Sequence, residues 1–282
     1  MLENTIITGF ADEIHTDIKV QVKQLQDLGI KYIEFRSANG KNVADYSLEE
    51  VKELKKYLSE NNIRISAIGS PIGKIMITDD FEPHFEVYKK VVEIAKLFET
   101  PYIRMFSFYI PKGEDPEIYH DEVLNRTKRM IDYAKIHNII LLHENEKDIY
   151  GDIAPRCFNL FKTFYCDNFK CTFDFANFVQ CRQDTLKAYE LLKPYIEYIH
   201  IKDAVLETGE VVPAGEGDGN VHEILKELDK SGYNGYLSLE PHLAEFAALK
   251  SLEKNSKQRT LTDGEVAFQI AYKALQKILS EN

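Results

Sequence analysis

The feature that most constrains this chain is a short apolar run, rich in β-branched and aromatic residues, that recurs eight times along it. The runs are TIITGF (5–10), YIEFRS (32–37), IRISAIG (63–69), YIRMFSF (102–108), IILLHEN (139–145), KCTFDF (170–175), YIHIKDA (198–204) and YLSLEPH (236–242). Amphipathic helical stretches separate them. Ser47 and Glu50 form a capping box ahead of LEEVKELKKYL, where Leu48, Val51, Leu54 and Leu58 share a face and Asn61 and Asn62 suit the end. Asp17 caps IKVQVKQLQDL, with Gly29 in the position of a C′ glycine, and Thr262 with Glu265 opens a last helix over GEVAFQIAYKALQKIL. Such alternation predicts a parallel sheet, and eight repeats in about 250 residues is the stoichiometry of a closed (β/α)8 TIM barrel. An open doubly wound sheet explains the alternation but not the count. The expectation is one α/β barrel domain spanning residues 1–282.

Composition excludes several other classes. With 282 residues, 44% apolar and 29% charged, the chain has the mixture of an ordinary globular protein. The first residues, MLENTIITGF, carry no basic region followed by a long apolar one, and no apolar run approaches the roughly 20 residues of a bilayer span. A cytoplasmic protein without a membrane partner is expected. Cys157, Cys166, Cys171 and Cys181 match no zinc-site spacing and read as free, largely buried thiols. A net charge of −11 argues against a nucleic-acid partner.

Charge appears where a buried strand should have none. LLHENEKDIYGD (141–152) begins like a core strand and then places His143, Glu144 and Glu146 in succession. A buried carboxylate must pair, protonate or bind a metal. In a barrel, the C-terminal ends of strands five to eight bring together Glu144, Asp174, His200 and Glu240. Three carboxylates and an imidazole suit one divalent ion such as Mn²⁺, Mg²⁺ or Zn²⁺.

HEN around Glu144, FDFANF around Asp174, HIKDA from His200, PAGEGDGN from Pro213 and LEPH around Glu240 together resemble the xylose-isomerase-like barrels, most of all their sugar phosphate isomerases/epimerases. The resemblance covers essentially the whole chain. It implies that Glu144, Asp174, His200 and Glu240 are the metal ligands, and that Glu144 and Glu240 flank the substrate as catalytic bases. The implied reaction removes a proton next to a carbonyl of a small-molecule sugar or sugar phosphate, with a divalent ion on the carbonyl and hydroxyl oxygens stabilising the enediolate. Return of the proton from the far side gives an epimerase, and return to the neighbouring carbon gives an isomerase. Loss of a β-hydroxyl gives a dehydratase acting on a keto-inositol or keto-sugar. An AP-endonuclease-like enzyme and a non-catalytic sugar-binding barrel are the remaining readings. Acidic charge and a shortage of ligand histidines, with His84 and His120 in or near loops and without an obvious cluster, oppose the former, and retention of both glutamates opposes the latter.

Lys202 shares a face with His200 and is read either as a substrate contact or as an exposed or Asp203-paired lysine. Arg104 and Lys74 are the other cations placed to meet an anionic substrate, and Glu146 is a rival ligand or supporting carboxylate. Asn177 stands where the ketose epimerases have a histidine, so a substrate contact differs there. Asp12, Glu13 and Glu34 stand where they could hold hydroxyls, with helix capping the alternative for Asp12. His143 is expected to point away, as a satisfied buried histidine. GEGDG (215–219) precedes a helix, as a phosphate loop would, but Glu216 and Asp218 oppose that role. Two long connections, 70–84 and 244–260, read as a lid or a subunit contact, and the second suggests a possible homodimer.

Overall fold

The computed structural model describes residues 1–244 and 263–281. All eight runs form strands: β1 (Ile6–Gly9), β2 (Tyr32–Phe35), β3 (Arg64–Ile68), β4 (Tyr102–Met105), β5 (Ile140–Glu144), β6 (Phe169–Asp174), β7 (Ile196–Ile201) and β8 (Tyr236–Leu239). They pair in parallel in the order β1-β8-β7-β6-β5-β4-β3-β2. β1 lies beside β2 without a backbone ladder, so the ring is a nearly closed barrel. Parallel strands demand crossovers, and the helices supply them: α1 (Ile18–Asp27), α2 (Leu48–Glu60), α3 (Phe81–Phe98), α4 (His120–Ile136), α5 (Ala154–Phe164), α6 (Phe175–Gln180), α7 (Thr185–Leu192), α8 (Val221–Lys230) and α9 (Gly264–Ser280). The large core lies between these helices and the outer faces of the strands, with Ile33, Phe35, Leu141, Phe173, Ile199 and Leu237 all buried there.

Local signals act as the residues dictate. Asp17 accepts from Lys19 N, and Ser47 and Glu50 make both bonds of the capping box. On α2, Val51, Leu54 and Leu58 are buried, whereas Leu48 in the first turn stays exposed. Thr262 lies outside the described residues, and the cap of α9 is Asp263, which accepts from Glu265 N and Val266 N. No disulfide joins the four cysteines, and Cys157 and Cys171 are buried. Among the described residues no helix is long and apolar enough to cross a membrane.

Inside the barrel the period-two face changes character from floor to mouth. Tyr32, Tyr102, Tyr198 and Tyr236 make ring contacts across the floor, with Tyr198 and Tyr236 stacked at 5.3 Å. Above them Thr8 and Ser66 hydroxyls meet at 2.8 Å, and Ser66 meets the Tyr198 hydroxyl at 2.9 Å.

The long connection after β3 ends earlier than expected. Asp80 caps α3, so His84 belongs to that helix rather than to the loop. The loop is strapped to the chain after β4: Phe106 N donates to Ile72 O, Tyr109 N to Ile75 O, and Ile77 N to Tyr109 O, all at 2.8–2.9 Å. Gly73 has φ +90°, and an added Cβ would lie 2.0 Å from Phe106 O, so only glycine fits this crossing. Most of the connection after β8, on which the dimer expectation rests, lies outside the described residues.

Candidate metal centre and active site

Strand register assembles the site. β6 and β7 place Asp174 opposite His200, and β7 and β8 place His200 opposite Ser238, two residues before Glu240. Glu144 ends β5. Ligand atoms of Glu144, Asp174, His200 and Glu240 all lie within 4.8 Å of one another, and none of these side chains exceeds a few per cent exposure. His200 Nδ1 is 3.0 Å from Glu144 Oε1, 3.3 Å from Glu240 Oε2 and 3.9 Å from Asp174 Oδ2.

The donor set suits a small divalent ion. Glu144 Oε2 and Asp174 Oδ2 are buried and accept no well-formed hydrogen bond, each meeting a cationic side chain in an ion pair instead, so both keep lone pairs that a bound cation would take. Burial, reinforced by Glu240 and Glu144, pushes Asp174 up to about 7 despite Lys202. Burial would also lower His200, but Glu34 and Glu144 raise it well above its ordinary value. These are the signatures of carboxylates crowded in low dielectric, where positive charge is needed. Glu144, Asp174, His200 and Glu240 are therefore the residues that could hold the ion.

Cationic side chains ring the cluster. Lys202 Nζ lies 3.1 Å from Asp174 Oδ2 and 3.3 Å from Glu240 Oε2, so it is neither exposed nor paired with Asp203. Arg104 Nη1 lies 3.2 Å from Glu144 Oε2, and its guanidinium sits between the rings of Phe10 and Phe106 at 4.8 and 5.0 Å. Lys74 pairs with Glu146 at 3.1 Å and stands over the Phe106 ring at 4.3 Å. β5 ends at Glu144, and Glu146 lies outside the four-ligand group. Asn177 Nδ2 donates to Asn145 O at 2.9 Å and to Glu144 Oε1 at 3.3 Å, and its backbone N donates to Asp174 Oδ1. Asn177 thus orients two of the candidate ligands, Glu144 through its side-chain amide and Asp174 through its backbone N–H.

Arg36 is the principal residue that sequence reasoning missed. Its guanidinium donates to Asp12 through two nitrogens, to Glu13 at 3.2 Å and to Glu240 Oε1 at 3.1 Å. Asp12 and Glu13 are held by this arginine, and Asp12 caps no helix. Glu13, Glu240 and His242 form a second close group of ligand atoms, but Arg36 already supplies positive charge to both glutamates. Burial would raise Glu240, yet Lys202, His200 and His242 hold it well below the usual carboxylate range. The available signal was periodicity: Arg36 and His242 stand two residues beyond Glu34 and Glu240, on the same inward faces.

His143 faces outward from the barrel, as expected, but is not satisfied: both ring nitrogens are buried without hydrogen-bond partners. Burial alone lowers it to about 3, so it is neutral. His120 Nδ1 meets the Tyr150 hydroxyl at 2.6 Å, and His84 Nε2 accepts from Gly73 N.

Fold and site together define a (β/α)8 barrel with a buried carboxylate and imidazole cluster at the C-terminal ends of β5 to β8. The chain belongs to the xylose isomerase-like TIM barrel family, whose model matches residues 22–259. It is 23% identical to a 3-dehydroshikimate dehydratase of Bacillus anthracis, over 71% of this chain and 77% of that protein. In fold it is similar to a D-allulose 3-epimerase from a Methylomonas species, with TM-score 0.76, 14% identity and 98% of each chain covered. It also resembles the IOLI protein, solved with a zinc atom, with TM-score 0.73, 16% identity and coverage of 98% and 99%.

Proposed function

We propose that this protein is a metal-dependent isomerase or epimerase that abstracts a proton next to a carbonyl of a sugar or sugar phosphate. The carrying observation is the pair Glu144 and Glu240, which meet the same nitrogen of His200 from β5 and β8, at 3.0 and 3.3 Å. Two carboxylates brought to one centre from different strands are what removal and return of a proton on a bound carbon require. Glu144 is oriented by Asn177, and Glu240 by Arg36 and Lys202, so neither needs to reorganise before reacting. A divalent ion held by Glu144, Asp174, His200 and Glu240 would supply charge stabilisation for the developing oxyanion. Phe10 and Phe106 wall the site and limit water beside the reacting carbon.

A second reading is a dehydratase, favoured by the dehydratase relative and by the buried ammonium of Lys202 beside Asp174 and Glu240, which would serve as the proton donor to a departing β-hydroxyl. Both readings begin with the same proton abstraction.

The test is incubation with Mn²⁺ in D₂O and a panel of ketoses, aldoses, their phosphates and keto-inositols, read by mass spectrometry. One metal-dependent deuterium next to a carbonyl is expected, and accompanying loss of water selects the dehydratase. Glu144→Gln and Glu240→Gln should each lower the exchange rate by about 100-fold or more. Metal affinity measured in parallel separates a lost base from a lost ligand, and exchange retained in both variants would sink the two-base proposal.

A further inference from the structure

We propose that the floor of the barrel, at the end opposite the candidate metal centre, holds a second ligand site that takes a small phosphate ester. Such a site goes beyond the proton-transfer reading and stands or falls without it.

Its cavity begins where two strands part. The β2–β3 ladder runs from Tyr32 to Phe35 and the β4–β5 ladder from Tyr102 to Met105, but β3 and β4 meet at the single pair Ile68 and Ile103. Below that pair the strands separate, and the Thr100 hydroxyl reaches across to Ser66 O at 2.7 Å. A cavity of about 1060 Å³ opens there onto the N-terminal face, at the upper end of the range of small-molecule sites, about 300–1,000 Å³. Buried Leu58, Ile63, Ile65 and Phe98 give it apolar walls. Tyr32 and Tyr236, in edge contact at 5.7 Å, complete its floor. Ala244 follows β8, and Gly264 lies against the backbone of Glu13 and Ile14, so the described residues on either side of 245–262 stand at the mouth, away from this cavity.

The polar groups of the cavity are donors short of acceptors. Lys31 and Arg64 both line it with exposed side chains, and Arg64 N donates to Lys31 O at 2.9 Å, so two cations occupy neighbouring strands. Among the described residues neither cation meets a carboxylate, and the Tyr32 and Tyr236 hydroxyls have no hydrogen-bond partner. Burial and Tyr32 raise Tyr236 while Arg64 pulls it back, so the guanidinium stands near that phenol. The one carboxylate in the lining is Glu99, and Lys55 already holds it at 2.6 Å.

This arrangement is unusual for the chain. Its net charge is −11, and surface lysines elsewhere find carboxylates, as Lys23 does in Asp27, Lys89 in Glu86 and Lys128 in Asp132. The floor of a barrel ordinarily serves stability. Like charges on adjacent strands oppose stability, so a packing role does not account for Lys31 and Arg64. A phosphate ester supplies what the lining lacks: negative charge and three acceptor oxygens for the cations and phenols, with a carbon body to lie along the apolar walls.

The experiment is calorimetry on the full chain, without added divalent ion, using adenosine 5′-monophosphate and glucose 6-phosphate as separate probes. The first carries its phosphate on a flat aromatic body and the second on a hydroxylated one. At least one is expected to bind with a Kd below about 1 mM. Lys31→Ala and Arg64→Ala should each weaken that binding about 10-fold or more. Both should keep the wild-type Tm or exceed it, because a repulsion is removed, and deuterium exchange at the mouth should be unchanged. A Kd above about 1 mM for both probes would overturn the proposal. So would binding that survives in the Lys31→Ala, Arg64→Ala double variant, since the phosphate would then sit elsewhere. Failure of the exchange assay bears on the metal centre alone and leaves this titration decisive for the floor.

Discussion

Glu34 sits fully buried inside the barrel, a position where a carboxylate has no solvent and must be answered by neighbours. His200 Nε2 donates to it at 3.1–3.2 Å and the Ser238 hydroxyl at 2.6 Å. Burial would raise its pKa, but His200 holds it below the ordinary value. Because a carboxylate only accepts, the Nε2 proton of His200 is held toward Glu34 in either protonation state, so the nitrogen that would give up its proton to a cation is Nδ1, which faces Glu144 and Glu240. Glu34→Gln removes that preference, since an amide can donate to Nε2 as well as accept from it. Mn²⁺ affinity measured by calorimetry should then fall about 10- to 100-fold, and unchanged affinity would show that His200 needs no such partner. The rest of the site repeats the pattern, with each buried charge held by an inward neighbour from another strand.

At the scale of elements, the strapped loop after β3 carries Lys74 to the mouth, and its shape depends on one glycine. Gly73→Ala would place a methyl against Phe106 O in a left-handed backbone, and a cost of about 2 kcal/mol or more is expected in urea denaturation. A shift below about 0.5 kcal/mol would mean that the crossing relaxes freely. The same loop is anchored by His84, whose Nε2 accepts from Gly73 N and is therefore unprotonated in the fold. Burial, with Arg126 nearby, depresses His84 from 6.5 to about 4. As pH falls the unfolded chain takes up this proton first, so the stability present above pH 6.5 is lost progressively down to about pH 4. The loss at pH 5 should be about 1 to 2 kcal/mol. Melts of wild type and His84→Gln between pH 7.5 and 4.5 check it: the variant should show the shallower decline, and parallel curves would assign the pH dependence elsewhere.

At the scale of the whole molecule, the mouth brings Glu144, Asp174 and Glu240 together with His200, so the fold should be tightened by a divalent ion. Stabilisation of about 2.7 kcal/mol is expected at an ion concentration of 100 Kd, read as a rise in Tm that a chelator reverses. A Tm indifferent to Mn²⁺, Mg²⁺ and Zn²⁺ would contradict a site of this kind. Eight strands, their order of appearance and the inward faces of Glu144, Asp174, His200, Lys202 and Glu240 were legible in the sequence, because period-two patterning is a local property of each strand. So were the caps at Asp17 and Ser47, where donor and acceptor lie within three residues. The pairing of those inward side chains was not legible. Arg36 meets Glu240 across 204 residues, and Glu34 meets His200 across 166, contacts that exist only because the ring brings β2 close to β7 and β8. Asp203 likewise reads as a partner for Lys202 along the chain, yet the loop folds back and surrounds it with glycine N–H groups. The sequence by itself determined which face each residue takes, since that depends on neighbours along the chain. Only the tertiary structure decided which charges answer one another, since that depends on how the barrel closes.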